Sequence, residues 1–210
     1  MLGNGPALPV DDLDCLAGQF TIGVNRILSS GFTPTAIMWV DGTVYQSDGE
    51  QIDASGAMLV CDRSVWNRQF HIGIKTWTGD GALQHCSEPG ILCCNGNTGC
   101  TAARWALALG FSPVYVVGMS ATYRGTGDAQ RTDFYGVNTR HHRTEGDGGT
   151  LSVMRGELER LRRDFPDDVV PVIDGVMLRA VAATHGPADT QSLRAAITDH
   201  LRTLNSVEMR

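Results

Sequence analysis

The chain has no long apolar run, no extended basic tract and no paired cysteine motif, and each absence removes a class of function. Nowhere in its 210 residues is there an apolar stretch approaching the ~20 positions that a membrane-crossing helix needs. The N-terminus has neither the basic segment nor the apolar run of a secretion signal, which predicts a soluble, cytoplasmic protein, in the host cytoplasm if it is phage-encoded. Net charge is −6, and the longest basic runs are Arg162-Arg163 and Arg140-His141-His142-Arg143. That balance excludes a protein that coats duplex nucleic acid, while leaving a localised contact open. Cys86, Cys93, Cys94 and Cys100, with His85 alongside, contain no CxxC pair, and adjacent Cys93-Cys94 does not suit tetrahedral zinc. These cysteines read as reduced structural thiols, and no zinc is expected. No internal repeat is visible.

What is present is an alternation of two hydrophobic periods. Residues 20–24, 36–40, 57–61, 114–118 and 169–173 are short apolar runs rich in β-branched side chains. Such runs predict parallel strands buried on both faces. Helical spacing is found at 10–16, 100–109, 151–163 and 191–204, with 70–77 extended and 62–69 a short helix or turn. Residues 78–97 and 119–150 are long polar stretches, read as loops near a site. The alternation predicts an α/β fold, a doubly wound, mostly parallel Rossmann-like sheet with helices on both faces, in one domain over 1–210.

In sheets of this kind ligands bind beyond the carboxyl ends of the strands. The chain places polar or glycine residues there. Gly3-Asn4-Gly5-Pro6-Ala7-Leu8 is a glycine turn followed by a proline and an amphipathic run. Its glycines permit positive φ and close approach, Pro6 is pre-set for a first helical turn, and a helix start presents free N–H groups to an anion. The turn therefore reads as a phosphate or nucleotide cradle. Asn25 and Asp41 end the next two strands, and Asn97-Thr98-Gly99 leads into the helix at 100–109. Plainer roles stand beside these: Asn25, Asp62 and Thr98 are good helix N-caps, and Asp41 can open a turn before Gly42. His141 and His142 lie in the polar loop as solvated side chains or as a functional pair, His71 and His185 read as structural, and His200 reads as surface.

Taken in order, the turn at 3–8, Gly23-Val24-Asn25-Arg26, the strand end at Asp41, Asn97-Thr98-Gly99 with its helix ending Ala108-Leu109-Gly110-Phe111, and Val114-Tyr115-Val116-Val117-Gly118 form a pattern. It resembles the Rossmann-like group that contains the small bacterial CMP-sialic acid sialyltransferases, the pterin pyrophosphokinase-like proteins of archaea, and many bacterial and phage relatives. The resemblance spans roughly residues 2–178. It implies that Gly3, Asn4 and Gly5 approach the phosphate of a nucleotide-activated donor and that Asn25 binds the nucleotide. It implies that Thr98 and Gly99 touch nucleotide or sugar. It further implies a histidine general base before the late helix, His142 or His141, whose pKa near working pH suits it to take the acceptor hydroxyl's proton. Tyr123 and Tyr135 would assist the leaving phosphate. Three features depart from the pattern. Asp41 stands where the sialyltransferases have Asn, and a carboxylate there repels phosphate unless a cation such as Mg2+ bridges them. Gly118-Met119-Ser120 replaces the Gly-x-Asp common after the central strand. Only Met1 and Leu2 precede the glycine turn, so either the protein begins upstream or another segment fills the place of the first strand.

Three functions follow from these residues. The first is a transferase, most concretely a glycosyltransferase moving a sugar from a nucleotide sugar to an acceptor hydroxyl on a glycan, a small molecule or a modified DNA base. Here Gly3 to Ala7 and Asn25 hold the donor, Asp41 binds ribose or a metal, and His142 or His141 is the base. The second is a magnesium-dependent diphosphate or phosphoryl transfer from ATP, motivated by Asp41. The third is a non-catalytic module, perhaps phage-encoded, that binds a nucleotide or docks on a host protein.

Overall fold

The computed structural model describes residues 1–62, 72–77, 91–93, 97–119, 133, 150–185 and 197. Short apolar runs become seven parallel strands: β1 (Ile22–Val24), β2 (Ala36–Trp39), β3 (Met58–Asp62), β4 (Ile72–Trp77), β5 (Ile91–Cys93), β6 (Val114–Val117) and β7 (Val169–Val172). Strands β1 to β5 lie side by side in chain order, in a register that aligns Val24, Met38, Val60 and Ile72 across four neighbours. These four side chains are buried on one face of the sheet. Ile37, Trp39, Leu59 and Cys61 alternate with them and are buried on the other. Burial on both faces is why the strands read as continuous apolar runs. β5 corrects the expectation of an unbroken loop over 78–97: Lys75, Thr76 and Trp77 pair with Ile91, Leu92 and Cys93. Its three apolar residues are too few to stand out among the surrounding Gly, Ser and Asn.

β6 and β7 form a second parallel pair, with Val116 opposite Pro171. Proline is tolerated there because β7 is an edge strand. The first three residues connect the two sheets. Leu2 bridges Gly23 on one side and Val117 on the other, both in parallel. Its N–H donates to the Ile22 carbonyl at 2.7 Å and its carbonyl accepts from Val24 at 3.1 Å, while Gly3 N–H donates to the Val117 carbonyl at 2.7 Å. Met1–Gly3 thus occupies the central place, and the spatial order is β5-β4-β3-β2-β1-(1–3)-β6-β7. The question of which segment stands in for the first strand is answered by these residues themselves.

Helices cover both faces, as a doubly wound sheet requires. α2 (Thr98–Ala108) crosses back from β5 to β6 and touches β1, β2, β5 and β6. Its buried Ala102, Ala103 and Ala106 allow that close approach, and Trp105 fills the remaining space. α3 (Thr150–Asp164) packs beside it through Leu158 and Leu161. On the opposite face lie α1 (Gly42–Ala54), α4 (Gly175–Thr184) and a 3-10 helix, Val10–Leu16, against which α4 packs. The sequence pattern at 10–16 predicts a short first helix; the structure shows it as 3-10. α1 and α4 were not among the sequence expectations. His185, expected to be structural, ends α4 with its Nε2 3.1 Å from the Tyr115 hydroxyl. The helix expected over 191–204 lies outside the described residues except Ile197, which is buried against the α2 side.

Candidate functional site at the switch point of the sheet

Successive connections run one way from the N-terminal segment through β5 and then return past it to β6. The place where the direction reverses lies between residues 1–3 and β6, and crevices of open α/β sheets form there, at the carboxyl ends. The glycine turn leaves the sheet at this point. Gly5 N–H donates to the Gly118 carbonyl at 2.7 Å, and Leu8 N–H returns to the Gly5 carbonyl at 3.0 Å. That second bond closes a turn at Pro6-Ala7, and the next helix starts at Val10. Pro6 therefore opens no helix, and the expectation of an anion-binding helix start directly after the turn is corrected. The reason is packing. Leu8 is buried against Gly118, where a Cβ would lie 2.9 Å from Leu8 Cδ1, and Gly118 itself has φ +67°. Glycine is needed there for both space and conformation.

Two asparagines stand at the ends of neighbouring strands. The Leu2–Gly23 bridge, counted on by two residues in each segment, sets Asn4 and Asn25 at the same height. The Oδ1 atoms of both are buried, with no hydrogen-bond partner among the described residues. Asn25 is also the one non-glycine residue with positive φ among the described residues, at +48°. Its N–H donates to the Met38 carbonyl at 2.9 Å, tying the strained residue to β2. It caps no helix: the 3-10 helix Ile27–Ser30 takes Arg26 as its N-cap. An unpaired buried acceptor costs about 1–3 kcal/mol. A left-handed asparagine adds a smaller penalty, and such strain clusters at ligand sites.

A helix start does reach this crevice, that of α2. Asn97 is its N-cap, with Oδ1 accepting from Cys100 N–H at 3.2 Å and Nδ2 donating to the Met154 carbonyl at 3.4 Å. The capping role expected of Thr98 thus belongs to the residue before it. Asn one position ahead of Thr-Gly was the available signal, since Asn is the stronger cap. Thr98 and Gly99 begin the helix, both buried, and their N–H groups find no partner among the described residues. Met119, the residue after Gly118, lies against them. A Cβ on Gly3 would sit 2.5 Å from Met119 Cγ, and one on Gly99 would overlap its sulfur. The structure therefore brings Gly3 and Gly99 together, with one methionine side chain between them.

Asp41 is exposed and serves α1 as N-cap, its Oδ1 accepting from Thr43 N–H at 2.9 Å. Neighbouring Arg26 anchors the same helix, with Nε 2.9 Å from Asp48 Oδ2 and a second bond to Ser47 Oγ at 2.9 Å. Asp62 is the buried last residue of β3, and the helix or turn it is expected to cap lies outside the described residues. Burial, then the Asp62 charge, push the Cys61 thiol up to about 12. Among the described residues no three His, Cys, Asp or Glu side chains gather as a metal set. His141, His142, Tyr123, Tyr135, His71 and His200 lie outside the described residues. Comparison with protein-family models, with curated proteins and with solved structures returned no match.

Proposed function

We propose that the switch-point crevice binds a nucleotide-activated donor and that the protein is a transferase, most concretely a glycosyltransferase acting on an acceptor hydroxyl. The observation that carries this reading is the pair of buried, unpaired amide oxygens, Asn4 Oδ1 and Asn25 Oδ1, at adjacent strand ends. Native folds rarely leave such atoms unsatisfied, and two together call for a ligand that supplies hydrogen-bond donors. A ribose diol or a base N–H is such a donor, whereas a phosphate is not. This moves Asn4 from the phosphate to the nucleoside. The phosphate's natural place is then the start of α2, where Thr98 and Gly99 N–H groups face an anion favoured by the helix dipole. Transfer would further need a base on the acceptor, the role the family resemblance gives to His142 or His141. The resemblance to the sialyltransferase group supports the transferase class.

Calorimetric titration with CMP, UDP, GDP and ADP, each with and without magnesium, tests the reading. One nucleotide is expected to bind saturably, and Asn4→Ala or Asn25→Gly is expected to weaken it at least tenfold. If none of the four produces binding heat up to millimolar concentration, the reading fails. Retention of binding in both variants would also remove the observation on which it stands.

A further inference from the structure

We infer that the nucleotide taken by this crevice carries guanine, read along its Watson–Crick edge by Asn4, Asn25 and Trp39. The inference rests on the donor reading above and names the base. Its own observation is a third orphaned atom in line with the two amide oxygens: the indole Nε1 of Trp39, buried and with no hydrogen-bond partner among the described residues. Trp39 is the last residue of β2 and is 0% exposed. Leu2 bridges Gly23, which is in register with Ile37, so counting on by two residues in each segment puts Asn4, Asn25 and Trp39 at one height on three neighbouring segments of the sheet. The Asn25 N–H bond to the Met38 carbonyl, at 2.9 Å, holds this alignment past the end of β1. Leu2 and Leu8 on either side of Asn4, Ile27 after Asn25, and Trp39 itself belong to one buried cluster. On that face the Trp39 ring stacks on Tyr45 of α1 with centroids 5.8 Å apart.

Across the strands the three groups run acceptor, acceptor, donor, because an amide oxygen accepts and an indole N–H only donates. The complementary ligand edge runs donor, donor, acceptor. Guanine presents that order in its 2-amino group, its ring N1–H and its O6 carbonyl. Cytosine offers one donor and two acceptors, uracil one donor between two acceptors, and adenine one donor and one acceptor. Each of these leaves at least one of the three protein groups unpaired, with the penalty that a buried polar group then carries. A ribose diol satisfies the two amide oxygens but not the full set. Its hydroxyls lie on adjacent carbons, whereas Trp39 stands two strand spacings from Asn4, about 10 Å at the backbone. A flat base edge with a hydrogen bond at each end covers that interval.

The test uses the full chain and calorimetry with GDP, ADP, CDP and UDP in one buffer. GDP is expected to bind about tenfold tighter than each of the other three, the effect of one buried hydrogen bond left unmade. Inosine diphosphate, which lacks only the 2-amino group, is expected to bind about tenfold more weakly than GDP. A 7-deaza-GDP, altered at an atom off this edge, is expected to match GDP. Trp39→Phe removes the indole N–H and is expected to weaken GDP and inosine diphosphate by the same factor, about tenfold, because O6 is common to both. Inosine diphosphate bound as tightly as GDP overturns the inference, and so does any of ADP, CDP and UDP matching GDP; in both cases the donor reading stands. A folded Trp39→Phe with wild-type affinity for GDP also overturns it. If Trp39→Phe fails to fold, the nucleotide series on the wild type decides alone. Absence of binding by every nucleotide removes the donor reading, and the base assignment with it.

Discussion

Replacing Asn25 with glycine should make the protein more stable, an outcome opposite to that expected for most buried or half-buried side chains. The side-chain oxygen is buried and unpaired, and a buried unsatisfied acceptor costs about 1–3 kcal/mol, all of which the substitution removes. The backbone at φ +48° is left-handed, where a non-glycine residue carries a penalty of about 1 kcal/mol, somewhat less for asparagine. Against these gains stands the larger chain entropy of glycine in the unfolded state, about 0.5–1 kcal/mol. The balance is a gain of about 1–3 kcal/mol, or about 3–9 °C in Tm for a chain of this size. Asn25→Ala separates the two contributions, since it removes the oxygen but keeps the left-handed strain, and it should fall about 1 kcal/mol short of the glycine variant. Urea unfolding of wild type and both variants provides the free energies, and the nucleotide titration reports the expected loss of binding in the same samples. Gain of stability with loss of ligand is the signature of a residue kept for binding. If Asn25→Gly loses more than about 1 kcal/mol, the amide holds the fold together and the oxygen is not waiting for a ligand.

Three further outcomes follow from the packing. Leu2→Ala should cost about 2–5 kcal/mol in urea unfolding, because this side chain is 1% exposed at the junction of the two sheets; a cost below about 1 kcal/mol would contradict the central placement of residues 1–3. Cys61 should resist iodoacetamide in the native protein at pH 8, as read by peptide mass mapping, since its thiol is pushed up to about 12 and the thiolate is the reactive form. The folded thiol holds its proton more tightly than the unfolded one, at 9.0, so its contribution to stability is constant below that pH and declines above it. Gly99→Ala should destabilise by about 1–3 kcal/mol through its clash with Met119. In a Met119→Ala background most of that loss should be recovered, and strict additivity in the double-mutant cycle would refute the contact.

The sheet was legible because its central strands are buried on both faces, and runs such as Ala36–Trp39 and Val114–Val117 carry no polar interruption. Helix α2 was legible for a related reason, since small residues at helical spacing signal close packing on a sheet. The helices that escaped notice have weak patterns. α1 holds Gly42, Thr43, Gly49 and a single buried side chain, Ile52, so its apolar stripe is nearly absent from the sequence. Asp41 caps its first turn locally, while Arg26 reaches Ser47 and Asp48 from a separate segment, a contact that the sequence does not announce. β5 is three residues long and exists by pairing with β4. Two residues before a glycine turn looked too few to act as a strand, and Leu2 fulfils that role only because β1 and β6 supply partners on both sides. In the candidate site, Asn4 and Asn25 could be placed beyond strand ends and Thr98 and Gly99 beside the start of α2 from the sequence. The part of Met119 was not, because a methionine after a strand announces nothing until two glycines are found beneath it.

That last point changes what the glycine pattern means. Glycines beside strand ends suggest a backbone approached by a ligand, and Gly3, Gly5 and Gly99 fit the suggestion equally well in the sequence. In the folded chain each is accounted for differently. Gly5 donates its N–H to Gly118, while Gly3 and Gly99 make room for Met119, so internal contacts alone are enough to require two of the three. A glycine in this crevice is therefore poor evidence for a ligand. An asparagine with a buried, unpaired oxygen is better evidence, because packing offers it nothing and its burial costs stability. Among the described residues Trp39 Nε1, Arg104 Nε, Trp105 Nε1 and Glu157 Oε2 are also buried without a partner, and what sets Asn4 Oδ1 and Asn25 Oδ1 apart from the last three, and Trp39 with them, is their place at adjacent strand ends.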